Sequence, residues 1–283
     1  MLADTAVEDD RSGLRWWKEL LLAATVYLVY SIVRNQFGSA GGDPAPAFGH
    51  ARDIIDLEKA LHLYVEPGVQ QWYLDLPGNG LIRLWNVYYG IAHFLVTFLA
   101  LVWMFRRDPV RHRVLRNTLA LTTALAVIGF ASYSLMPPRL LDDPGEFGAC
   151  QLYAPDAASA APPGALSTPG CDEFGYVDTI ARYGGWISFG NEGMKDVSNQ
   201  YAAMPSMHIG WATWSAVVLF PLVRRRWARF LVALHPILTL VGIVLTANHY
   251  WIDGPAGLVC LAAGYGLARV LTRPARAAAP ASS

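Results

Sequence analysis

The sequence predicts an all-α membrane protein, a bundle of six transmembrane helices with an amphipathic helix and a long loop at its outer end. Three observations predict it. Of 283 residues, 54% are hydrophobic and only 16% charged, below the roughly 25% charged of a soluble domain. Six apolar runs approach the ~20 residues a helix needs to cross a bilayer core. The basic residues gather in four clusters, and six spans place all four on one side of the membrane, as the positive-inside rule requires.

The first run, Trp16–Val33, follows Arg11 and Arg15, includes Lys18, and is closed by Arg34 and Asn35. No small-residue cleavage site follows it cleanly, so it reads as a span and not as a signal peptide. The second and third, Leu84–Phe105 and Leu119–Met136, flank the basic "RRDPVRHRVLR" (Arg106–Arg116). The fourth and fifth, Met207–Val223 and Phe230–Ala247, flank "RRRWAR" (Arg224–Arg229). The sixth, Gly254–Thr272, ends among Arg269, Arg273 and Arg276. Residues 1–15 and 273–283 then read as cytoplasmic tails, and residues 16–272 as one membrane domain of a multi-pass cell-membrane protein.

Three segments face outward in this topology: Phe37–Gly80, Pro137–Ala203 and the short turn Asn248–Ile252. In "ARDIIDLEKALHLYVEPGVQQWYLDL" the apolar positions Ile54, Ile55, Leu57, Leu61 and Val65 recur at near-helical spacing, with Arg52, Asp56, Lys59 and Glu66 among them. That pattern fits an amphipathic helix on the membrane surface, or a small helix packed on the loop. Glu58 and Glu66 read as its solvated face. In the loop 137–203, the middle "APDAASAAPPGALSTPG" has the composition of a mobile segment. Its end, "YGGWISFGNEGMKDVSNQYAAMPSMH", is aromatic and polar and reads as ordered. Cys150 and Cys171 lie in this loop and can pair as a disulfide if it faces an oxidising compartment.

The ionisable residues at the outer ends of the spans carry the chemistry. Arg139 lies just outside the third span, Ser206 and His208 open the fourth, His249 follows the fifth, and Asp253 opens the sixth. Each has an ordinary role available. An Arg at a helix end snorkels to headgroups, Ser206 follows a Pro whose fixed φ suits a first turn, and an HxxxD spacing is common. The set at one membrane face points further, because charges there are costly and tend to be functional. A helical His249–Asp253 stretch puts both side chains on one face. The carboxylate then fixes the imidazole tautomer and leaves the free nitrogen nucleophilic. His208 can protonate a leaving oxygen, Arg139 can take phosphate in bidentate fashion, and the N–H groups from Ser206 to His208 form an anion cradle. Together these groups specify phosphoryl transfer through a phosphohistidine. The mechanism needs no metal or other cofactor, and no metal-ligand cluster is evident.

"PSMH" followed by "HYWID" resembles the type-2 phosphatidic acid phosphatase superfamily. "PPRLL", "DLEKALHLYVEPGVQQW" and "ANHYWIDGPAG" look like its branch related to fungal inositol phosphorylceramide synthase, over about residues 54–266. The resemblance implies a six-helix bundle with the site at the non-cytoplasmic face. It implies His249 as nucleophile, Asp253 as its partner, His208 as acid, and Ser206 and Arg139 as phosphate contacts. It also implies a phospholipid donor and a lipid or sugar acceptor, with phosphoinositol the head group the branch suggests. Phosphatases of the superfamily carry Lys where this chain has Ser132, and Ser-Arg where it has Gly242 and Ile243. With two phosphate-binding cations absent, the pattern looks more like the transferase branch than like a lipid phosphatase, with Arg182, Asn191, Lys195 or Asn199 available to compensate.

Other classes fit less well. Zero net charge gives no global basic character for nucleic acid. Transporters place polar groups near the midplane and show repeats, neither of which is seen here. Paired histidines for haem would need partners at one level, whereas His93 falls mid-span and His235 near the cytoplasmic end. His93 reads as a packed bundle residue outside the catalytic set.

Overall fold

A computed structural model describes residues 15–36, 43–78, 81–165, 168–185 and 200–272. Among them the secondary structure is helical, without strands. The principal helices are α1 (Trp16–Gln36), α2 (Pro44–Ala60), α3 (Glu66–Leu74), α4 (Leu81–Arg107) and α5 (Pro109–Ser132). After a 3₁₀ turn at Pro138–Leu140 come the short α6 (Cys150–Tyr153), α7 (Pro155–Ala160) and α8 (Thr179–Tyr183). The chain closes with α9 (Met207–Leu219), α10 (Arg226–Leu245) and α11 (Asp253–Leu271).

Four helices, α4, α5, α10 and α11, are long and apolar enough to cross a membrane. Their outer surfaces carry large apolar side chains such as Leu95, Phe98, Ile237 and Val259, as lipid-facing helices do. Of the two further expected spans, Trp16–Val33 lies in α1 and Met207–Val223 is a 13-residue helix followed by a turn. Glu19 of α1 pairs with Arg116 and His112 of α5, which fixes α1 against the bundle.

Between helices the contacts are small residues and polar pairs. A side chain at Gly264 of α11 would run into Thr122 and the Thr118 carbonyl of α5, so glycine is what lets these two backbones approach. Thr97 bonds Ser215 at 3.0 Å, Trp214 Nε1 donates to the Leu115 carbonyl, and the Tyr88 hydroxyl meets His235 Nδ1 at 2.7 Å.

The third expected run is displaced. Asp108 caps α5 through the Arg111 N–H, with Pro109 at the first helical position, so the helix takes in Arg111, Arg113 and Arg116 of the basic cluster. It stops at Ser132, and Tyr133–Met136 leave it extended. Leu135 N donates to Tyr201 O and Met136 N to Ala47 O. The proline after Met136 disfavours continued helix, and the two side chains are fully buried instead in a second core at the site end of the bundle.

That second core is capped by α2. Its buried stripe is Ala47, Ala51, Ile54, Ile55 and Glu58, so α2 packs on the loop layer, while Leu57, Leu61 and Val65 are exposed. The expected single amphipathic helix is two, broken at His62, whose φ is +57°. The solvated reading of Glu58 and Glu66 is overturned: each is 1% exposed.

The described part of the loop 137–203 is held by buried polar side chains. Asp142 accepts from the Tyr153 hydroxyl and from Phe174 N and Tyr176 N. Gln70 exchanges bonds with Val177 and reaches the Leu245 carbonyl. Asn86 holds Thr179 and Gly184. Cys150 and Cys171 form a disulfide. The segment expected to be mobile contains α7, while most of the segment expected to be ordered, residues 186–199 with Asn191, Lys195 and Asn199, lies outside the described residues, as do residues 1–14 and 273–283 of the expected tails.

Candidate active site

Four of the five expected site residues meet where α9, α11 and the turn before α11 converge. Asp253 is the first residue of α11. His249 lies in the turn, which is not helical, so the expected i,i+4 helix face is not what joins them. A folded-back turn does so: Asp253 N donates to Tyr250 O, and Tyr250 N donates to Asp253 Oδ2. His249 Nδ1 donates to the same Oδ2 at 3.0 Å. Asp253 is fully buried and His249 is 4% exposed, so this hydrogen bond fixes the proton on Nδ1 and leaves the lone pair on Nε2.

Two groups face that nitrogen. His208 Nδ1 lies 3.2 Å away and Ser206 Oγ 3.5 Å away. With the His249 proton on Nδ1, the His208 Nδ1–H donates. Both come from the start of α9, preceded by a cis Met204–Pro205 bond. Backbone contact locks this helix mouth to α11: Ser206 N donates to Asp253 O at 3.0 Å, and a side chain at Gly257 would collide with the Ser206 carbonyl. Gly129 of α5 similarly leaves room for the Pro205 ring.

His208 is positioned by two rings of α4, Tyr89 and the His93 expected only to pack in the bundle. Tyr89 stacks on it at 4.3 Å and 19°, and His93 lies 4.1 Å from it, centroid to centroid. His93 therefore sits at the level of His208, against expectation, because Tyr89 and His93 are four residues apart on one face of α4. His93 Nδ1 donates to the Tyr89 carbonyl.

Arg139 reaches the site through the adjacent backbone: its N–H donates to Ala247 O, and its Nε to the Asn248 side chain at 3.0 Å. The rest of the guanidinium is engaged. It ion-pairs with Asp178 at 3.2 Å and donates to Gln200 Oε1 at 2.7 Å. Asn248, Asp178 and Gln200 were not singled out from sequence. Of the substituted family positions, Ser132 bonds carbonyls of its own helix, while Gly242 and Ile243 pack in the core. Arg182 lies over the Tyr183 ring, exposed.

The backbone of the His249–Asp253 turn is held from behind. Glu66 Oε1 accepts from Trp251 N, and Glu58 Oε1 from Ile252 N, both at 3.2 Å. An open apolar groove of about 560 Å³, lined by Tyr64, Val65, Pro67, Gly68, Val69 and Trp72, runs beside α3. None of the five expected site residues lines it. Among the described residues no cluster suited to a metal ion is present.

A nucleophilic nitrogen, a second imidazole, an orienting carboxylate and a hydroxyl within 3.5 Å suit group transfer to nitrogen. The family model described as the PAP2 superfamily matches residues 52–267. Comparison with curated proteins and with solved structures found no match.

Proposed function

The chain belongs to the PAP2 superfamily, and on that premise we propose that it is an integral membrane phosphotransferase acting through a phosphohistidine at His249. The donor is a phospholipid, phosphoinositol being one head group in view, and the acceptor is a lipid or sugar hydroxyl. The observation that carries the reading is the buried Asp253–His249–His208 relay, with hydrogen bonds of 3.0 and 3.2 Å.

In the first half-reaction His249 Nε2 bonds to phosphorus as the phosphorus–oxygen bond to the leaving alkoxide breaks, and His208 gives that oxygen a proton. In the second, the acceptor oxygen bonds to phosphorus, the nitrogen–phosphorus bond breaks, and His208 takes the acceptor proton. Asp253 stabilises the charge that develops on the His249 ring. The phosphoryl oxygens meet Ser206 and the N–H groups of the α9 start, and Arg139 after it exchanges Asp178 for phosphate.

Transfer to a hydroxyl, in preference to hydrolysis, is supported by Ser132, Gly242 and Ile243 standing where superfamily phosphatases carry Lys, Ser and Arg. Six spans, cytoplasmic termini and a site on the non-cytoplasmic face are part of the proposal. They are supported by the four basic clusters and by a disulfide in the loop that packs over the site end. The test is incubation of the purified protein with a panel of head-group-labelled phospholipids, with and without candidate acceptors, and mass detection of products. Head-group transfer that depends on acceptor is expected. Rapid phosphate release without any acceptor makes the protein a lipid phosphatase instead.

A further inference from the structure

We propose that Glu58 and Glu66 act as positioning residues for the reaction at His249, a two-carboxyl clamp sharing one proton that sets the backbone of the His249–Asp253 turn. This rests on the reading of His249 as the nucleophile.

The geometry is specific. The turn has three residues between His249 and Asp253, and the clamp takes the N–H groups of two of them, Trp251 and Ile252. The third, Tyr250, donates to Asp253 itself. The N–H of each of the three intervening residues is thus aimed at a carboxyl oxygen. The two clamping residues come from different helices, Glu58 from the last turn of α2 and Glu66 from the first of α3. The break at His62 folds α3 back and brings them together.

Each carboxyl uses Oε1 on the turn, and each Oε2 is buried without an N–H or hydroxyl donor from any other described residue. Two ionised carboxylates at 1% exposure would repel and leave both oxygens unsatisfied. One proton resolves this, because a Glu58 hydroxyl donates to Glu66. Burial, then the hydrogen bond with Glu66, pushes the Glu58 carboxyl up to about 9. The other titratable groups facing the pair are Asp253, Tyr64, Tyr176 and Tyr250, with Lys59 over the Tyr64 ring. Burial pushes Tyr64 up to about 12 and raises Tyr176 and Tyr250 as well. These hydroxyls therefore keep their protons where Glu58 loses its own. Loss of the shared proton puts a second negative charge against a turn whose far end carries Asp253, and the turn shifts.

The consequence is an alkaline limit to turnover set by a residue that touches no substrate. In the wild type, kcat is expected to fall above about pH 9 by about tenfold per pH unit, the slope of a single proton. The Glu58→Gln amide donates to Glu66 and accepts from Ile252 at every pH. It is expected to keep wild-type-like turnover at pH 7 and to lose the alkaline limb. Glu58→Ala breaks the clamp at all pH, lowering kcat by about tenfold or more with little change in KM, the mark of displaced chemistry and not of lost binding. Infrared spectroscopy supplies a readout independent of turnover: a protonated-carboxyl C=O band at pH 7, absent in Glu58→Gln and titrating near pH 9. An unchanged alkaline limb in Glu58→Gln, or no band lost at pH 7, overturns the clamp. Full activity of His249→Ala overturns the proposed chemistry instead, and the infrared result still decides on the clamp.

Discussion

The contacts of His249 separate the roles of its neighbours. In the proposed chemistry His249→Ala removes the attacking atom, and a loss of about 10⁴-fold or more in turnover is expected, as when a covalent enzyme loses its nucleophile. Asp253→Asn keeps the shape and frees the tautomer, so phosphoenzyme formation, followed by rapid quench, should slow with substrate binding retained. His208→Ala should cost about 10²–10⁴-fold. The loss should be larger for poor leaving groups than for good ones, because only the poor ones need the proton; equal losses across a leaving-group series would remove His208 from the acid role. Arg139 poses a different question, since Asp178 already occupies its guanidinium. Asp178→Asn keeps an oxygen to cap α8 at Ala181 N but drops the competing charge, so KM for a phosphorylated donor should fall several-fold. The places of Ser206, His208, His249 and Asp253 beside one another were legible because their types and spacing name a chemistry. Glu58 and His93 were not, although Glu58 lies on the face of Ile54 and Ile55 and His93 on that of Tyr89. A glutamate on a helix usually means solvent, and a lone histidine in a span usually means packing. For Glu58 a turn distant in sequence reverses the expectation; His93 is packed as expected, and what the sequence does not show is that its neighbour is His208.

At the level of elements, the helix mouths are built to meet. The α9 start and α11 share a Ser206–Asp253 backbone bond, and Gly257 keeps the distance short. Gly257→Val should push the Ser206 carbonyl away and misalign His208 with His249. Turnover should then fall more than thermal stability in detergent does; the reverse order would make the contact merely structural. The Cys150–Cys171 bond closes a loop of 21-residue separation. Removing it with a Cys150→Ser, Cys171→Ser pair should cost about 3 kcal/mol by the chain-entropy relation, read as a lower unfolding temperature than that of the oxidised wild type. The cores of the four long apolar helices were recognisable from hydropathy because burial in lipid demands about twenty apolar residues. Ends were less so. The run Leu119–Met136 hides a change from helix to extended chain, since buried loop residues are as apolar as lipid-facing ones.

For the whole molecule, the site end is a second core, separate from the lipid-facing bundle, and its polar groups make stability depend on pH. Burial raises the carboxyls of both Glu58 and Asp142, the latter opposed by donors from Phe174, Tyr176 and Tyr153. Each group therefore holds its proton in the folded protein where the unfolded chain has released it. The folded state binds more protons in that window, so stability falls as pH rises through it. For Glu58 the window runs from the ordinary carboxyl range to about 9, above which the dependence ends. Unfolding temperature in detergent should decline from pH 5 to 9 in the wild type and decline less in Glu58→Gln; equal slopes would show that Glu58 is ionised in the fold. By itself the sequence determined a helical membrane protein, the family resemblance and the residues of the relay, because hydropathy period and residue chemistry are local properties. Only the tertiary structure decided that the HxxxD pair meets through a non-helical turn, that Arg139 is held by Asp178, and that two glutamates lie buried behind His249. Those facts depend on which distant segments share a dry interior, where an unpaired charge is costly enough to dictate its own partner.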